Sequence, residues 1–158
     1  MQHALRVGFS FGLTSGVITT LGLMIGLHSG THSKLAVIGG ILTIAVADAF
    51  SDALGIHIAE ESKNEHTHRG VWLATCFTFL FKFCFALTFI VPVLLFPLDV
   101  AMLVSIGWGL LLLGVLSFRI GKESNGNRWA VVGEHLLIAL LVILITHFVG
   151  DGIAAVFD

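Results

Sequence analysis

Five apolar runs constrain this chain more than any other feature of its sequence. They cover residues 7–27, 35–59, 71–96, 98–118 and 129–150. A membrane-spanning helix needs about 20 mainly apolar residues, and backbone that crosses a bilayer must satisfy its own hydrogen bonds. The sequence therefore predicts an all-α, polytopic membrane protein with five transmembrane helices, and a single transmembrane domain over residues 1–158.

The composition excludes several other classes of protein. Hydrophobic residues make up 56% of the chain and charged residues 11%, which leaves no room for a soluble domain. A net charge of -2 gives no basic surface for nucleic acid, so the lipid bilayer is the expected partner. The first run is too long for a signal-peptide core. Cys76 and Cys84 fall within the third run, where we expect small, buried apolar residues.

The basic residues predict the orientation of the five spans. With an odd number of spans, one side of the membrane holds Arg6, Lys63, Arg69, Arg119, Lys122 and Arg128, and the other side holds only Lys34. Because basic loops stay in the cytoplasm, the N-terminus is expected to be cytoplasmic and the C-terminus external. We expect a multi-pass protein of the cell (inner) membrane.

Two acidic residues lie inside the second run. Asp48 and Asp52 are one helical turn apart and share a face of the predicted helix. A carboxylate at membrane depth is costly and normally faces a bundle interior or a cavity, so the pair indicates a cation site. The alternative is a buried structural pair partnered by Lys82.

Helix geometry places four polar residues in one layer of the membrane. At 1.5 Å per residue, Asp48 and Lys82 lie about 16 Å from the inner ends of their helices, Ser15 about 12 Å and Asp52 about 10 Å. Lys82 is then the natural counter-ion for Asp48 while no substrate is bound. The alternative for Lys82 is a lysine that extends toward the headgroups.

Small residues recur at helical spacing in the first two runs. In the second run they form a stripe with the acids, made of Ala45, Asp48, Asp52, Gly55 and Ala59. In the first run they are Gly8, Gly12, Gly16, Gly22 and Gly26. Such rows let membrane helices approach closely. The glycine row fits packing within the chain and a dimer interface equally well.

Polar clusters at the two predicted faces could extend the path of an ion. On the inner side they are Glu60, Glu61, Glu65 and His68, with Glu134 nearby, and on the outer side His28, His32, His147 and Asp151. If the second helix continues past the membrane, Glu61, Glu65 and His68 share a face. Carboxylates with imidazoles suit Fe, Mn or Zn ions. The alternatives are a solvated helix end on the inner side and interfacial histidines on the outer side.

Several segments resemble the vacuolar iron transporter family. The segment 16–27 is similar to the family's first helix, and Val46-Ala-Asp-Ala-Phe-Ser51 followed by Gly55 is similar to a motif of its second helix. Pro92 with the apolar run after it resembles the end of the third helix. Gly133, Leu136-Leu137 and the segment 146–150 resemble the last helix.

The resemblance implies a five-helix homodimer that moves Fe²⁺ or Mn²⁺ out of the cytoplasm in exchange for protons. This chain departs from the family pattern where Ser15 replaces an aspartate, Asp52 a methionine, Ile56 an acid and His57 a tyrosine. The long glutamate-rich cytoplasmic segment of some members is reduced to residues 60–68. Losing the soft methionine favours harder ions such as Mn²⁺.

The sequence thus predicts a divalent transition-metal exporter rather than an enzyme, with no tightly bound cofactor. Ions would collect at Glu60, Glu61, Glu65 and His68, with Glu134 extending the inner path. They would bind Asp48 and Asp52 with help from Ser15, and leave past His147 and Asp151. Lys82 would pair with Asp48 in the empty state. The alternative is a structural protein or a carrier of a non-metal small solute.

Overall fold

The computed structural model describes residues 1–63, 67–123 and 127–157, which are almost wholly helical. The helices are α1 (Gln2–Thr31), α2 (Lys34–Ser62), α3 (His68–Thr88), α4 (Ile90–Leu95), α5 (Leu98–Glu123) and α6 (Arg128–Phe157). Five segments are long and apolar enough to cross a membrane, the third being α3 and α4 together. The prediction of an all-α protein with five such spans is confirmed.

The helices extend beyond the apolar runs at most of their ends. α1 ends at Thr31, and the next residue, His32, has a left-handed backbone conformation with φ 50°. Ser33 then accepts a hydrogen bond from the Ala36 N–H and caps α2, and Thr67 caps α3 through the Gly70 N–H. Serine and threonine satisfy N–H groups that the first helical turn leaves open. These polar caps lie outside the apolar runs, so hydropathy alone misses them.

The third span is broken near one end. α3 ends at Thr88 and α4 begins at Ile90. Pro92 has no N–H to donate to the Thr88 carbonyl, so it interrupts the helical hydrogen bonds there. The Thr88 hydroxyl accepts a hydrogen bond from Trp108 Nε1 at 3.0 Å, which ties the break to α5.

α1 is the central helix, and its glycines face two different neighbours. A Cβ added to Gly8 would lie 2.5 Å from Phe77 Cβ in α3. At the other end of α1, a Cβ added to Gly26 would lie 3.3 Å from the Thr146 carbonyl oxygen in α6, and one added to Gly30 would lie 3.2 Å from that of Gly150. The glycine row therefore packs within the chain.

The outer helices expose most of their large apolar side chains. α2 carries Leu42, Phe50 and Leu54 on its exposed face, and α6 is the least buried of the five spans. The expectation that the cysteines are buried is wrong, because Cys76 and Cys84 are both exposed on α3. In a membrane, the exposed apolar face of a helix contacts lipid, and a thiol is apolar enough to lie there.

Replacing Gly8 with alanine should destabilise the protein by about 1–3 kcal/mol, because the new methyl group overlaps α3 backbone that cannot move without repacking. Gly107→Ala is the matched control, since nothing lies within 4 Å of a Cβ at that position. Thermal unfolding in detergent measures both. Equal melting temperatures for the two variants would contradict the close approach of α1 and α3.

Candidate functional site

Four side chains from three helices meet near the middle of the bundle. Lys82 Nζ lies 2.5 Å from Asp48 Oδ2, contacts Asp52 Oδ2, and donates to Ser15 Oγ at 2.9 Å. The Ser15 hydroxyl donates in turn to Asp52 Oδ2 at 2.6 Å. We call Ser15, Asp48, Asp52 and Lys82 the Lys82 cluster. All four were predicted to share one layer, and the structure brings them into contact.

The cluster is buried around its cation. The Lys82 side chain is 1% exposed, against 25% for Asp48 and 20% for Asp52. The alternative of a lysine extending to the headgroups is therefore wrong. Removing an ammonium from water costs several kcal/mol, which close carboxylates offset. Two carboxylates against one ammonium leave a formal charge of −1 on the cluster.

The two carboxylates are held differently. Asp52 Oδ2 accepts from both Lys82 and Ser15, so its position is fixed by two donors. Asp48 Oδ2 lies within ion-pair range of Lys82 but off the hydrogen-bonding direction, and it accepts no hydrogen bond from the described residues. Asp48 is therefore the carboxylate with unused capacity to bind a further cation.

Small residues on α2 place the acids beside the interior. The buried stripe of α2 includes Ala45, Ala49 and Ala53, one turn apart. Asp48 and Asp52 each precede a residue of this stripe, so they lie at its edge, half-turned toward α1. The predicted stripe was partly wrong, because Gly55 and Ala59 are exposed.

Glycines on α1 make room for the lysine. A Cβ added to Gly12 would lie 2.9 Å from the Lys82 backbone nitrogen, and one added to Gly16 would lie 3.4 Å from Lys82 Cγ. α3 thus approaches α1 closely enough for the aliphatic part of Lys82 to pack on it. The ammonium then emerges between Ser15 and the α2 acids.

Asp48 also lines a groove between α1 and α2. This groove is mostly apolar, has a volume of about 710 Å³ and extends from Asp48 toward Ala36, near the start of α2. The hydroxyl residues Thr19, Thr43 and Ser51 line it, among apolar side chains. The groove therefore gives access to Asp48 from the end of the molecule where α2 starts.

At the opposite end of α2, a buried carboxylate is held by two basic side chains. Glu60 is buried, with its carboxylate 3.0 Å from His3 Nε2 and 2.6 Å from Lys63 Nζ. α2 ends at Ser62 and His68 begins α3, so the predicted continuation of the second helix is wrong. Consequently His68 is not on one helix face with Glu61.

The remaining inner candidates are dispersed. Glu61 is exposed and lies 3.9 Å from His57, whereas the His68 ring contacts Trp72. Glu134 is exposed on α6. Glu65 lies outside the described residues.

At the other end of the bundle, a serine joins the predicted outer residues. Ser29 Oγ lies 3.0 Å from His147 Nδ1 and donates to Asp151 Oδ1, and His147 lies 3.4 Å from Asp151. Sequence reasoning missed Ser29, although the nearby glycines Gly26 and Gly30 signal close packing there. His28 pairs instead with Asp99 at 3.0 Å, and His32 lies beside it.

The described residues contain no group of three His, Cys, Asp or Glu side chains that could hold a metal ion together. One copy of the chain offers a cation two carboxylates and the Ser15 hydroxyl. All are oxygen ligands, which suit Mn²⁺ and other hard ions better than soft ones.

Comparison with known proteins returned no match: no family model, no curated protein and no solved structure corresponds to this chain.

Lys82→Met should destabilise the protein by about 3 kcal/mol or more, because it leaves two close carboxylates without a counter-ion. Asp48→Asn should cost less, since Asp52 remains beside the ammonium. Adding Asp48→Asn to Lys82→Met should recover part of the loss, because only one carboxylate then remains. Thermal unfolding of the three variants in detergent tests this. Strictly additive losses would show that Lys82 and Asp48 are not coupled.

Proposed function

We propose that the protein exports a divalent transition-metal ion, Mn²⁺ or Fe²⁺, from the cytoplasm across the cell (inner) membrane. The observation that carries the proposal is the Lys82 cluster, with two carboxylates and one ammonium at membrane depth beside a groove that Asp48 lines. Ionisable groups inside a membrane are rare, and they mark substrate or ion pathways, proton relays, voltage sensors or ligand counter-ions. The resemblance to the vacuolar iron transporter family implies the same substrate class.

Charge balance within the cluster indicates how metal and protons are coupled. The empty cluster carries −1, and a bound divalent ion would bring it to +1. If the Lys82 ammonium loses its proton as the metal binds, the cluster becomes neutral, with two carboxylates balancing the metal. Metal binding would then release one proton, which makes exchange of metal against protons the natural mode of transport.

In this proposal the ion moves between the contacts of Glu60 and the groove that reaches Asp48. The predicted orientation puts Glu60, His3 and Lys63 on the cytoplasmic side. The groove that reaches Asp48 then leads outward. This conformation corresponds to release, and opening from the cytoplasm requires the Glu60 ion pairs to separate. Glu61, Glu65, His68 and Glu134 would supply ions on the inner side, and His147 with Asp151 would line the exit.

The polar residues of this groove also favour a homodimer. Thr43 and Ser51 are exposed and Asp48 is partly exposed on a face that would otherwise contact lipid. Exposing such groups to hydrocarbon is unfavourable, whereas a second copy of α1 and α2 would cover them. A permeation path between two copies would then be lined by both clusters.

A second candidate is a proton-coupled carrier of another small solute. It is favoured by the contacts of Lys82, which already neutralise much of the carboxylate charge. A structural subunit is the third reading, in which the cluster only specifies packing. Both predict that no divalent metal ion crosses the membrane.

Asp48→Asn should reduce metal flux by at least about tenfold, equivalent to about 1.4 kcal/mol of lost binding, because it removes the carboxylate that reaches the groove. The measurement is uptake of Mn²⁺, Fe²⁺ and Zn²⁺ into proteoliposomes with an internal metal-sensitive dye. Asp99→Asn, an exposed acid at the start of α5 that pairs with His28 outside the Lys82 cluster, is the matched control and should transport normally. Undiminished flux through the folded Asp48 variant would exclude the cluster as the metal site.

Lys82→Arg should keep the ion pairs but block transport, because arginine does not lose its proton. A pH dye outside the same proteoliposomes should report proton movement when the wild-type protein transports metal. It should report no proton movement with Lys82→Arg. Transport at the wild-type rate with arginine in place would contradict proton release from Lys82. If Asp48→Asn loses metal flux but wild type moves no protons, the protein carries metal without proton exchange.

A cysteine at Thr43 should cross-link two copies of the chain, because Thr43 lies on the face that we propose a second copy covers. The native Cys76 and Cys84 are first replaced by serine. Val104→Cys on α5, also exposed, is the control and should not cross-link. Cross-linking at position 104 but not at 43 would place the dimer contact elsewhere.

A further inference from the structure

A second groove, separate from the Lys82 cluster, lies between α1, α3 and α5. We call it the arginine groove. Its polar residues are Arg6, Ser10 and Arg119, and its apolar surface includes Phe9, Phe81 and Leu116. Its volume is about 330 Å³. The proposed transport path does not use it.

The packing of three helices explains why this groove exists. α3 and α5 each pack on α1 but scarcely touch each other, so a channel remains over the first half of α1. Phe9 forms its floor and packs edge-on against Phe81, with ring centroids 5.1 Å apart. The aromatic floor thus lies between α1 and α3, and the groove opens above it.

Both arginines lie close to the ends of their helices. Arg6 follows the start of α1 at Gln2 by about 6 Å along the axis, and Arg119 precedes the end of α5 at Glu123 by a similar distance. Trp129 packs on Phe118 one residue from Arg119, as interfacial aromatics do. The guanidinium groups are therefore at the level of lipid headgroups, while Phe81 and Leu116 lie deeper.

We propose that the arginine groove binds an anionic phospholipid. The lipid phosphate would receive hydrogen bonds from Arg6 and Arg119, and the Ser10 hydroxyl could add a third. An acyl chain would follow Phe9, Phe81 and Leu116 toward the membrane middle. Guanidinium groups match phosphate oxygens in geometry and charge, and basic pockets between membrane helices hold anionic headgroups.

Arg6 also interacts with another part of the chain. A guanidinium has five N–H donors, so Arg6 can keep that interaction and still donate to a phosphate. Arg119 supplies a second cation from a different helix. A ligand held by both would join α1 to α5 at this end of the bundle.

The apolar part of the groove distinguishes a lipid from a soluble anion. A free phosphate would contact only the three polar residues and would leave the apolar surface of the groove uncovered. A phospholipid matches both parts at once, with charge at headgroup depth and hydrocarbon below it. The predicted orientation also places this end at the cytoplasmic leaflet, where anionic lipids attract basic residues.

The test is binding of fluorescent phosphatidylglycerol to the purified full-length chain in neutral detergent, with fluorescent phosphatidylcholine as the neutral comparison. Wild type should prefer phosphatidylglycerol. Arg119→Gln should weaken its binding by about fivefold, the equivalent of one basic residue near a membrane surface. Arg69→Gln is the matched control, an exposed arginine at the same end of the molecule but outside the groove, and should bind as wild type.

A second variant tests whether lipid binding needs the space of the groove as well as its positive charge. Ser10→Trp keeps both arginines but fills the groove, so it should also lose binding, while inorganic phosphate should not displace the lipid from wild type. The proposal is overturned if wild type binds the two lipids equally, if Arg119→Gln binds normally, or if Arg69→Gln loses as much. Displacement by phosphate at millimolar concentration would overturn it in favour of a soluble anion. Thermal unfolding checks each variant, and Arg119→Gln decides if Ser10→Trp does not fold.

Discussion

The need to keep one ammonium group charged inside the bundle governs the arrangement of three helices. An isolated buried charge would cost several kcal/mol after relaxation of its surroundings. Lys82 avoids this cost only because Asp48 and Asp52 reach it from α2 and Ser15 reaches it from α1. If any of these helices shifted by one turn, the ammonium would lose a partner, so the pairing fixes the register of α1, α2 and α3.

The same pairing leaves the Lys82 cluster with a net negative charge, which a purely structural cluster would not need. One carboxylate would neutralise Lys82, yet two are present, and Asp48 borders a mostly apolar groove that contains three hydroxyl residues. Asp52 is bound by two donors, whereas Asp48 has no directed hydrogen bond from the described residues. The site thus combines an acid held by two donors with one that accepts no directed hydrogen bond, and this difference is what the proposed exchange depends on.

The sequence predicted the parts of this fold that depend on local properties. Hydropathy located all five spans, and helical geometry placed Ser15, Asp48, Asp52 and Lys82 in one layer. Contacts between helices were harder to predict, because periodicity does not reveal which neighbour a face meets. Ser29 therefore went unnoticed. The predicted stripe on α2 included Gly55 and Ala59, which are exposed, and left out Ala49 and Ala53, which are buried. The end of α2 at Ser62 was also missed, because a charged helix end and a turn have similar composition.

The central position of α1 has a consequence for how the protein is made. α1 is the first helix to be synthesised, yet its second half packs on α6, the last, at Gly26 and Gly150. Between these two residues the ribosome must add more than a hundred others. Until then, the glycine surface of α1 and the Ser29 hydroxyl remain uncovered in the bilayer or its insertion machinery. Such non-local contacts form late, so α1 must be held in the membrane by its own hydrophobicity before its final partner arrives.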